Sequence, residues 1–141
     1  MKKRKVQTVL CVQNDSELSF LLLKTNKKRG QFWQNVTGSV EKDEKFEHAA
    51  IREAIEESQL DENNIIEMFE LFEYSFKKSN NKKVIERVFC ILCKDKWDVI
   101  IDPKEHEDFF WETDFKKCLE MIKFESNQKA VTEVKNILCG K

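Results

Sequence analysis

Four glutamates are spaced so that one helix could carry their carboxylates on one side: Glu44, Glu53, Glu56 and Glu57. An α-helix turns about 100° per residue, so the last three project within about a third of its circumference. Like charges this close repel each other unless a cation lies between them. Magnesium takes oxygen ligands and is held by a few carboxylates together with substrate phosphates. The segment therefore predicts a helix that holds Mg²⁺, or Mn²⁺ in its place, although a solvated acidic surface would have the same composition.

The remaining residues of this helix suggest how the carboxylates are arranged. Ile51 and Ile55 point away from the acidic side, whereas Ala49 and Ala50 lie on it. Small side chains at these two positions are expected to leave room for a bulky ligand to approach the carboxylates. Arg52 is expected to pair with a neighbouring glutamate and to fix its rotamer.

The spacing of the acidic segment resembles the signature box of the Nudix hydrolases. The matching positions are Gly38, Glu44, Arg52, Glu53, Glu56, Glu57 and Leu60. Gln59 departs from the pattern, which has glycine just after the helix. A residue with a side chain costs roughly 1–2 kcal/mol to place in the left-handed conformation that glycine adopts at such a position. The departure concerns the end of the helix and not the metal ligands.

The resemblance implies a hydrolase that cleaves a phosphoanhydride bond with the help of a divalent metal. In the family the Arg-Glu and Glu-Glu pairs supply metal ligands, which implies Glu53 and Glu57 here, with Glu56 close by. Arg52 matches the arginine that orients the box. Metal ions neutralise charge on the phosphates and lower the pKa of a bound water, and a carboxylate then takes the proton. The sequence leaves that base open between Glu56, Glu57 and Glu105.

A narrower resemblance lies beside the box. The segment FWQNVTGSVE, residues 32–41, is similar to the bacterial dihydroneopterin triphosphate pyrophosphatase branch of the family, which has threonine before the box glycine. This implies substrate contact at Thr37 and Gly38. Glu105 and His106, followed by Trp111, resemble a further segment of that branch and imply that Glu105 is a third metal ligand or the base. A solvated acid in an acidic loop is the alternative for Glu105, and a structural or exposed histidine is the favoured reading of His106.

Three other residues are candidates for substrate contact. Phe72 and Glu73 resemble a segment that lines the substrate pocket in the same branch, although a strand with aromatic residues facing a core would read the same way. Lys24 leads into a basic loop at residues 25–30, and cations there would attract and stabilise a polyphosphate. Lys24 is the preferred cation because a strand end is better fixed than a loop.

Composition indicates a globular protein. The 141 residues are expected to form a single domain, residues 1–141, and their 25 basic and 26 acidic side chains nearly cancel, which indicates neither disorder nor a nucleic-acid surface. The start MKKRK precedes only a short apolar run, so a frayed terminus and a cytoplasmic location are expected. The five cysteines are interpreted as reduced packing residues, and Cys90 and Cys93 would face opposite sides of a strand and share no metal.

Patterns of apolar residues predict an α/β fold. Strands are expected at residues 7–13, 18–24, 66–76, 83–94, 98–101 and 109–112, with the third and fourth antiparallel, a short strand or turn at 34–36, and a closing helix at 129–138. This order agrees with the α/β/α sandwich and mixed β-sheet that the resemblance implies.

The sequence therefore favours a magnesium-dependent pyrophosphohydrolase that converts 7,8-dihydroneopterin triphosphate into its monophosphate and pyrophosphate. Its partner would be a small-molecule triphosphate, with no membrane and no nucleic acid, and the oligomeric state stays open. Three alternatives remain: a pyrophosphatase for dATP or oxidised nucleotides, a 5′-RNA pyrophosphohydrolase, and a nucleotide-binding module without catalysis.

Overall fold

The computed structural model describes residues 3–140, and these form seven strands, three helices and two single turns of 3₁₀ helix. The strands are β1 (Lys3–Asn14), β2 (Glu17–Thr25), β3 (Trp33–Gln34), β4 (Val36–Ser39), β5 (Ile65–Lys77), β6 (Lys83–Cys93) and β7 (His106–Glu112). The helices are α1 (Phe46–Ser58), α2 (Phe115–Met121) and α3 (Glu125–Cys139), and the 3₁₀ turns are Lys27–Arg29 and Glu62–Asn64.

The long strand β1 organises the sheet. One edge of β1 pairs in parallel with β6, and β6 pairs antiparallel with β5, as predicted. The other edge is divided, because Lys5–Thr8 pair with β4 and Leu10–Asn14 pair with β2, both antiparallel. β7 pairs with the far edge of β2, whereas β3 pairs with Leu23 and Lys24 on the edge that also carries β1. The chain therefore passes from β2 to β1 at Asn35, because β3 pairs with β2 and β4, one residue later, pairs with β1.

Each face of the sheet is covered by helices. Apolar residues of α2 and α3 pack on one face with alternate residues of β1, β2 and β6. Residues of α1 pack on the opposite face with the intervening residues of the same strands. Cys90 and Cys93 belong to opposite faces, as strand geometry predicts. The α/β/α sandwich with a mixed sheet is confirmed.

Two predicted details of the fold are wrong and one helix was missed. Residues 98–101 are not a strand: Val99 is buried, Trp97 donates its indole N–H to the Ser58 carbonyl at 2.8 Å, and the segment packs on the end of α1 without a ladder partner. The frayed terminus is wrong for residues 3–5, which belong to β1, while residues 1 and 2 lie outside the described part. The missed helix, α2, is only one or two turns long and begins at an Asp114 cap.

Burial separates the cysteines into two groups. Four of the thiols are buried, and the packing role predicted for Cys139 is wrong because this residue, at the end of α3, is exposed. Within residues 3–140, no helix combines the length and the apolar composition needed to cross a membrane.

Candidate active site

The acidic side of α1 is turned towards the sheet. Glu53 is 9% exposed and Glu57 1% exposed, and Ala49 and Ala50 are completely buried between the helix and β1 and β6. The expectation that the alanines leave room for a ligand is therefore wrong. Their small side chains let the helix lie close to the sheet, and this approach carries the two glutamates inward with them.

Gly38 in β4 is the residue that makes room for Glu53. A Cβ atom at position 38 would lie 2.0 Å from Cδ of Glu53, far inside van der Waals contact. Only glycine therefore permits the carboxylate to sit against β4. The predicted functional importance of Gly38 gains a physical reason, which is the placement of Glu53.

Glu57 has a buried carboxylate that no hydrogen bond stabilises. Neither Oε1 nor Oε2 has a hydrogen-bond partner in the structure. Burial raises the pKa of Glu57 well above its usual range, and the neighbouring carboxylates of Glu53 and Glu105 add to this effect. Burial also raises the pKa of Glu53, although Arg52 opposes the shift. Two carboxyl groups are thus held together away from water, where only a cation can make both of them ionise readily.

His106 contacts the same carboxylate from the other side. The imidazole is 1% exposed, and its Nδ1 lies 3.2 Å from Oε1 of Glu57 without the alignment of a hydrogen bond. Its Nε2 lies 3.3 Å from the Gln34 side-chain nitrogen. Burial, followed by the Arg29 charge, lowers the pKa of His106 to about 4, so the ring is neutral at pH 7. The reading of His106 as structural agrees with this burial, but its contact with Glu57 was missed.

Arg52 is the centre of a network that fixes the start of the box. Its Nε and Nη2 donate to the two carboxylate oxygens of Glu44 at 2.8 and 2.9 Å, and Nη1 donates to Glu53 at 3.1 Å. Hydrogen bonds from Arg52 hold the pKa of Glu44 well below its usual range. Nη1 also donates to Glu56 at 3.0 Å, and this glutamate is half-exposed. The prediction that Arg52 pairs with neighbouring glutamates is consistent with these contacts.

Glu105 approaches the carboxylate pair from the turn before β7. Its side chain is 40% exposed and accepts a hydrogen bond from Nη1 of Arg29 at 3.2 Å. Its charge contributes to the raised pKa of Glu57. A role as third ligand or as base stays a prediction.

The donors present fit a divalent cation at Glu53 and Glu57. Among residues 3–140, no three acidic, histidine or cysteine side chains already meet at ligand spacing. Both oxygens of Glu57 are nevertheless buried and bare beside a second carboxylate, and oxygen is the ligand that hard divalent ions prefer. A cation at this point would satisfy the orphaned oxygens and remove the repulsion between the two groups.

The predicted substrate contacts fall in different places. Thr37 lines a cavity of about 430 Å³ on the α3 face of the sheet, next to Gln34 and Arg29. Phe72 lies beside the same region, with Nζ of Lys129 4.3 Å from its ring centroid. Lys24, near the end of β2, is engaged by Glu107, with Nζ 3.4 Å from Oε2.

Glu73 is not brought to this cavity. Its side chain accepts a hydrogen bond from Nε of Arg87 at 3.0 Å. Arg87 lies over the ring of Phe46 at 4.2 Å, on the α1 face of the sheet. Phe72 and Glu73 are adjacent in a strand and therefore face opposite sides, so the pair cannot line one pocket together.

Glu86 is not among the predicted site residues, yet it lines the cavity and is 5% exposed. The signal was present in β6, where this charge alternates with Val84 and Val88 on the apolar α3 face. A charged residue in register with buried apolar ones is a candidate for a buried polar role.

Comparison with known proteins gives a consistent result. Residues 3–126 match the family model for the NUDIX domain. The chain is 33% identical over 143 residues to a dihydroneopterin triphosphate diphosphatase from Haemophilus influenzae, covering 93% of this chain and 88% of that protein. It is similar to the solved structure of the E. coli dihydroneopterin triphosphate pyrophosphohydrolase, with a TM-score of 0.76, 24% identity and 92% of each chain covered.

A third similarity extends over nearly the whole chain. The binary complex of a C. elegans Ap4A hydrolase has a TM-score of 0.80 at 17% identity, with 99% of each chain covered, and at this identity the likeness concerns the fold alone. The family match, the relative and the geometry of the box helix agree. The chain therefore belongs to the NUDIX family and is a Nudix hydrolase that acts on phosphoanhydride bonds.

Proposed function

We propose that this protein is a magnesium-dependent pyrophosphohydrolase that converts 7,8-dihydroneopterin triphosphate into its monophosphate and pyrophosphate. The observation that carries the proposal is the buried carboxylate pair of Glu53 and Glu57, in which both oxygens of Glu57 lack a hydrogen-bond partner. A cavity large enough for a two-ring heterocycle includes Gln34, which contacts the histidine beside Glu57. The relative from Haemophilus influenzae, named for that substrate, supports the choice of pterin.

Glu53 and Glu57 would hold the metal, with Glu105 as the third carboxylate. A bound divalent ion would supply charge neutralisation on the phosphates and a lower pKa for the attacking water. Gly38 and Arg52 place the Glu53 carboxylate, and Arg52 does so from a position already fixed by Glu44.

The cations near the cavity would bind the phosphates. Arg29 lines the cavity and also donates to Glu105, so it lies between the ring pocket and the carboxylates. Lys24 lies near the end of the neighbouring strand. Fixed positive groups stabilise the charge that builds up as a phosphoanhydride breaks, because they need little reorganisation at that moment.

The positions of these residues suggest the course of the reaction. Water attacks one phosphorus of the triphosphate, pyrophosphate leaves, and a carboxylate takes the proton from the water. Glu56, Glu57 and Glu105 are the candidates for that base. Glu56 is the least favoured by geometry, because it is half-exposed and engaged by Arg52.

The first experiment measures pyrophosphate release with magnesium from dihydroneopterin triphosphate, dATP, 8-oxo-dGTP and a nucleotide sugar. The proposal expects the highest kcat/KM on the pterin and loss of release when the metal is chelated. Equal or higher rates on dATP or 8-oxo-dGTP would replace it with a nucleotide pyrophosphatase.

A module without catalysis would release no pyrophosphate from any of the four compounds. It would also bind dihydroneopterin triphosphate equally well with and without magnesium. Calorimetric titration of wild type and Glu57→Gln under both conditions separates this alternative from an enzyme tested on the wrong substrate.

A further inference from the structure

The cavity on the α3 face is lined by aromatic rings and by charged side chains. The rings belong to Phe32, Tyr74, Phe76 and Phe124, and Glu86 is one of the charged residues. The cavity volume of about 430 Å³ lies within the range of small-molecule sites and suits a flat bicyclic ring. Aromatic faces of this kind bind such rings by stacking.

Glu86 is buried and forms no ion pair within residues 3–140, although Lys5, its cross-strand partner, lines the same cavity. The Glu86 side chain accepts hydrogen bonds on Oε2 from the Gln7 amide at 3.0 Å and from the Tyr74 hydroxyl at 2.5 Å. Both donors are neutral, and no lysine, arginine or histidine in the described part of the chain forms an ion pair with it. The residue is 5% exposed, and its second oxygen, Oε1, receives no hydrogen bond from residues 3–140. A buried carboxylate in this state has unused accepting capacity.

The surrounding network fixes Glu86 as an acceptor. The amide oxygen of Gln7 accepts from Nδ2 of Asn35 at 2.8 Å, so the amide nitrogen must point to Glu86. The backbone N–H of Asn35 donates to Oδ1 of Asn127 at 2.8 Å, which ties the network to α3. Because the donors around Glu86 are locked in this way, the carboxylate offers only lone pairs to the cavity.

Two residues that line the cavity connect it to the carboxylate pair of α1. Arg29 lines it and donates to Glu105, whose charge acts on Glu57. Gln34 lines it as well and contacts the histidine that touches Glu57. A ring in the cavity would therefore have its phosphate chain directed towards the proposed metal ligands.

We propose that Glu86 selects the ring of the substrate by accepting hydrogen bonds from two adjacent N–H donors of a 2-amino-4-oxo heterocycle. This class includes pterins and guanine, in which an amino group lies beside a protonated ring nitrogen. Adenine presents a bare ring nitrogen beside its amino group, and that lone pair would face the carboxylate. The inference rests on the proposed function for the direction of the phosphates and adds the chemical reason for the choice of ring.

The test compares Glu86→Gln with wild type in two assays. Calorimetry measures binding of neopterin monophosphate, dGMP and dAMP, and turnover measures kcat/KM for dihydroneopterin triphosphate, dGTP and dATP. We expect wild type to prefer the 2-amino-4-oxo rings, and the variant to lose roughly 10- to 100-fold on them with little change on the adenine compounds. Glu67→Gln, an exposed glutamate on β5, is the matched control and should not alter the ratio.

Several results would overturn the proposal. The proposal is already wrong if the wild-type protein binds dAMP as tightly as dGMP and neopterin monophosphate, or if it binds none of the three compounds. An unchanged ring preference in a folded Glu86→Gln variant would also overturn it. Tyr74→Phe keeps the aromatic ring and removes one donor to Glu86, so it should reduce the preference for 2-amino-4-oxo rings by less than Glu86→Gln does. Selective binding without hydrolysis would instead sink the proposed function and leave the role of Glu86 intact.

Discussion

Two groups of glutamates share the box segment and have opposite environments. Glu44 is surrounded by donors, since it accepts from Arg52, from the Glu41 N–H and from His48, and its pKa is lowered. Glu57 is buried beside the carboxylates of Glu53 and Glu105 and the neutral imidazole of His106, accepts no hydrogen bond, and its pKa is raised.

The contrast separates stability from function among chemically identical side chains. A carboxylate with all its lone pairs satisfied contributes to the fold, whereas one that is buried and bare costs free energy in the metal-free protein. A protein can tolerate such a cost where a bound ligand offsets it. The Glu57 end of the helix is therefore the functional end.

The largest effect is expected from Glu57→Gln. The neutral amide keeps the shape but not the charge, so we expect kcat to fall by roughly 100- to 1,000-fold. The metal-free variant should be no less stable than wild type, because a buried uncompensated carboxylate has been removed. Pyrophosphate release and thermal denaturation measure the two effects.

Glu47→Gln, at an exposed position in the first turn of α1, is the control for Glu57→Gln. It should leave both turnover and melting temperature near wild type. Full turnover in Glu57→Gln would remove Glu57 from the site and end the contrast between the two glutamate groups.

Gly38→Ala tests whether the position of Glu53 depends on the missing Cβ. The added carbon would lie 2.0 Å from Cδ of Glu53, so the carboxylate must move. A displacement of about 1 Å in a catalytic group typically costs about 100-fold in rate. We expect that loss in kcat together with weaker binding of magnesium in calorimetry, while Ser39→Ala, one residue further along β4, should change neither. Wild-type rates in Gly38→Ala would mean that Glu53 does not need this position.

Glu44→Gln should affect stability more than chemistry. Losing the charge weakens the bonds from Arg52, and we expect a cost of about 1–2 kcal/mol in the free energy of unfolding at pH 7. Since folding lowers the pKa of Glu44, its contribution is present above the ordinary glutamate pKa of about 4.3 and declines as the pH falls below it. Urea denaturation of both proteins from pH 7 to pH 3 should show the difference shrinking. A difference that grows at low pH would contradict the assignment.

The smallest effect is expected at the end of the helix. Gln59 adopts φ 58° and ψ 35°, the left-handed conformation that glycine occupies without strain, and its N–H donates to the Ile55 carbonyl at 2.9 Å. Gln59→Gly should therefore stabilise the protein by about 0.5–1 kcal/mol without changing turnover. Glu47→Gly, inside the same helix, should destabilise it by about 1 kcal/mol. If both changes destabilise by the same amount, the left-handed cap contributes no strain.

Regular patterns made most of the elements predictable. The strands 7–13, 18–24, 66–76 and 83–94 and the box helix followed from alternation, from turn residues and from helical spacing. The predicted strand at 98–101 is wrong because the apolar residues of this segment pack against the end of α1 and form no β-ladder. Local sequence patterns do not distinguish these two uses of apolar residues. Helix α2 was missed because so few residues show little periodicity.

Residue types at the spacing of a metal-binding helix were enough to indicate the family and the class of chemistry. Only the packed fold shows which side of that helix is buried and that Gly38 makes room for Glu53. It also shows that Glu73 faces away from the cavity while Glu86 lines it. Spacing along a chain fixes directions around a helix or strand, because these are local geometry. Burial, and with it the pKa of a carboxylate, depends on residues far apart in sequence that meet only when the sheet and its helices pack.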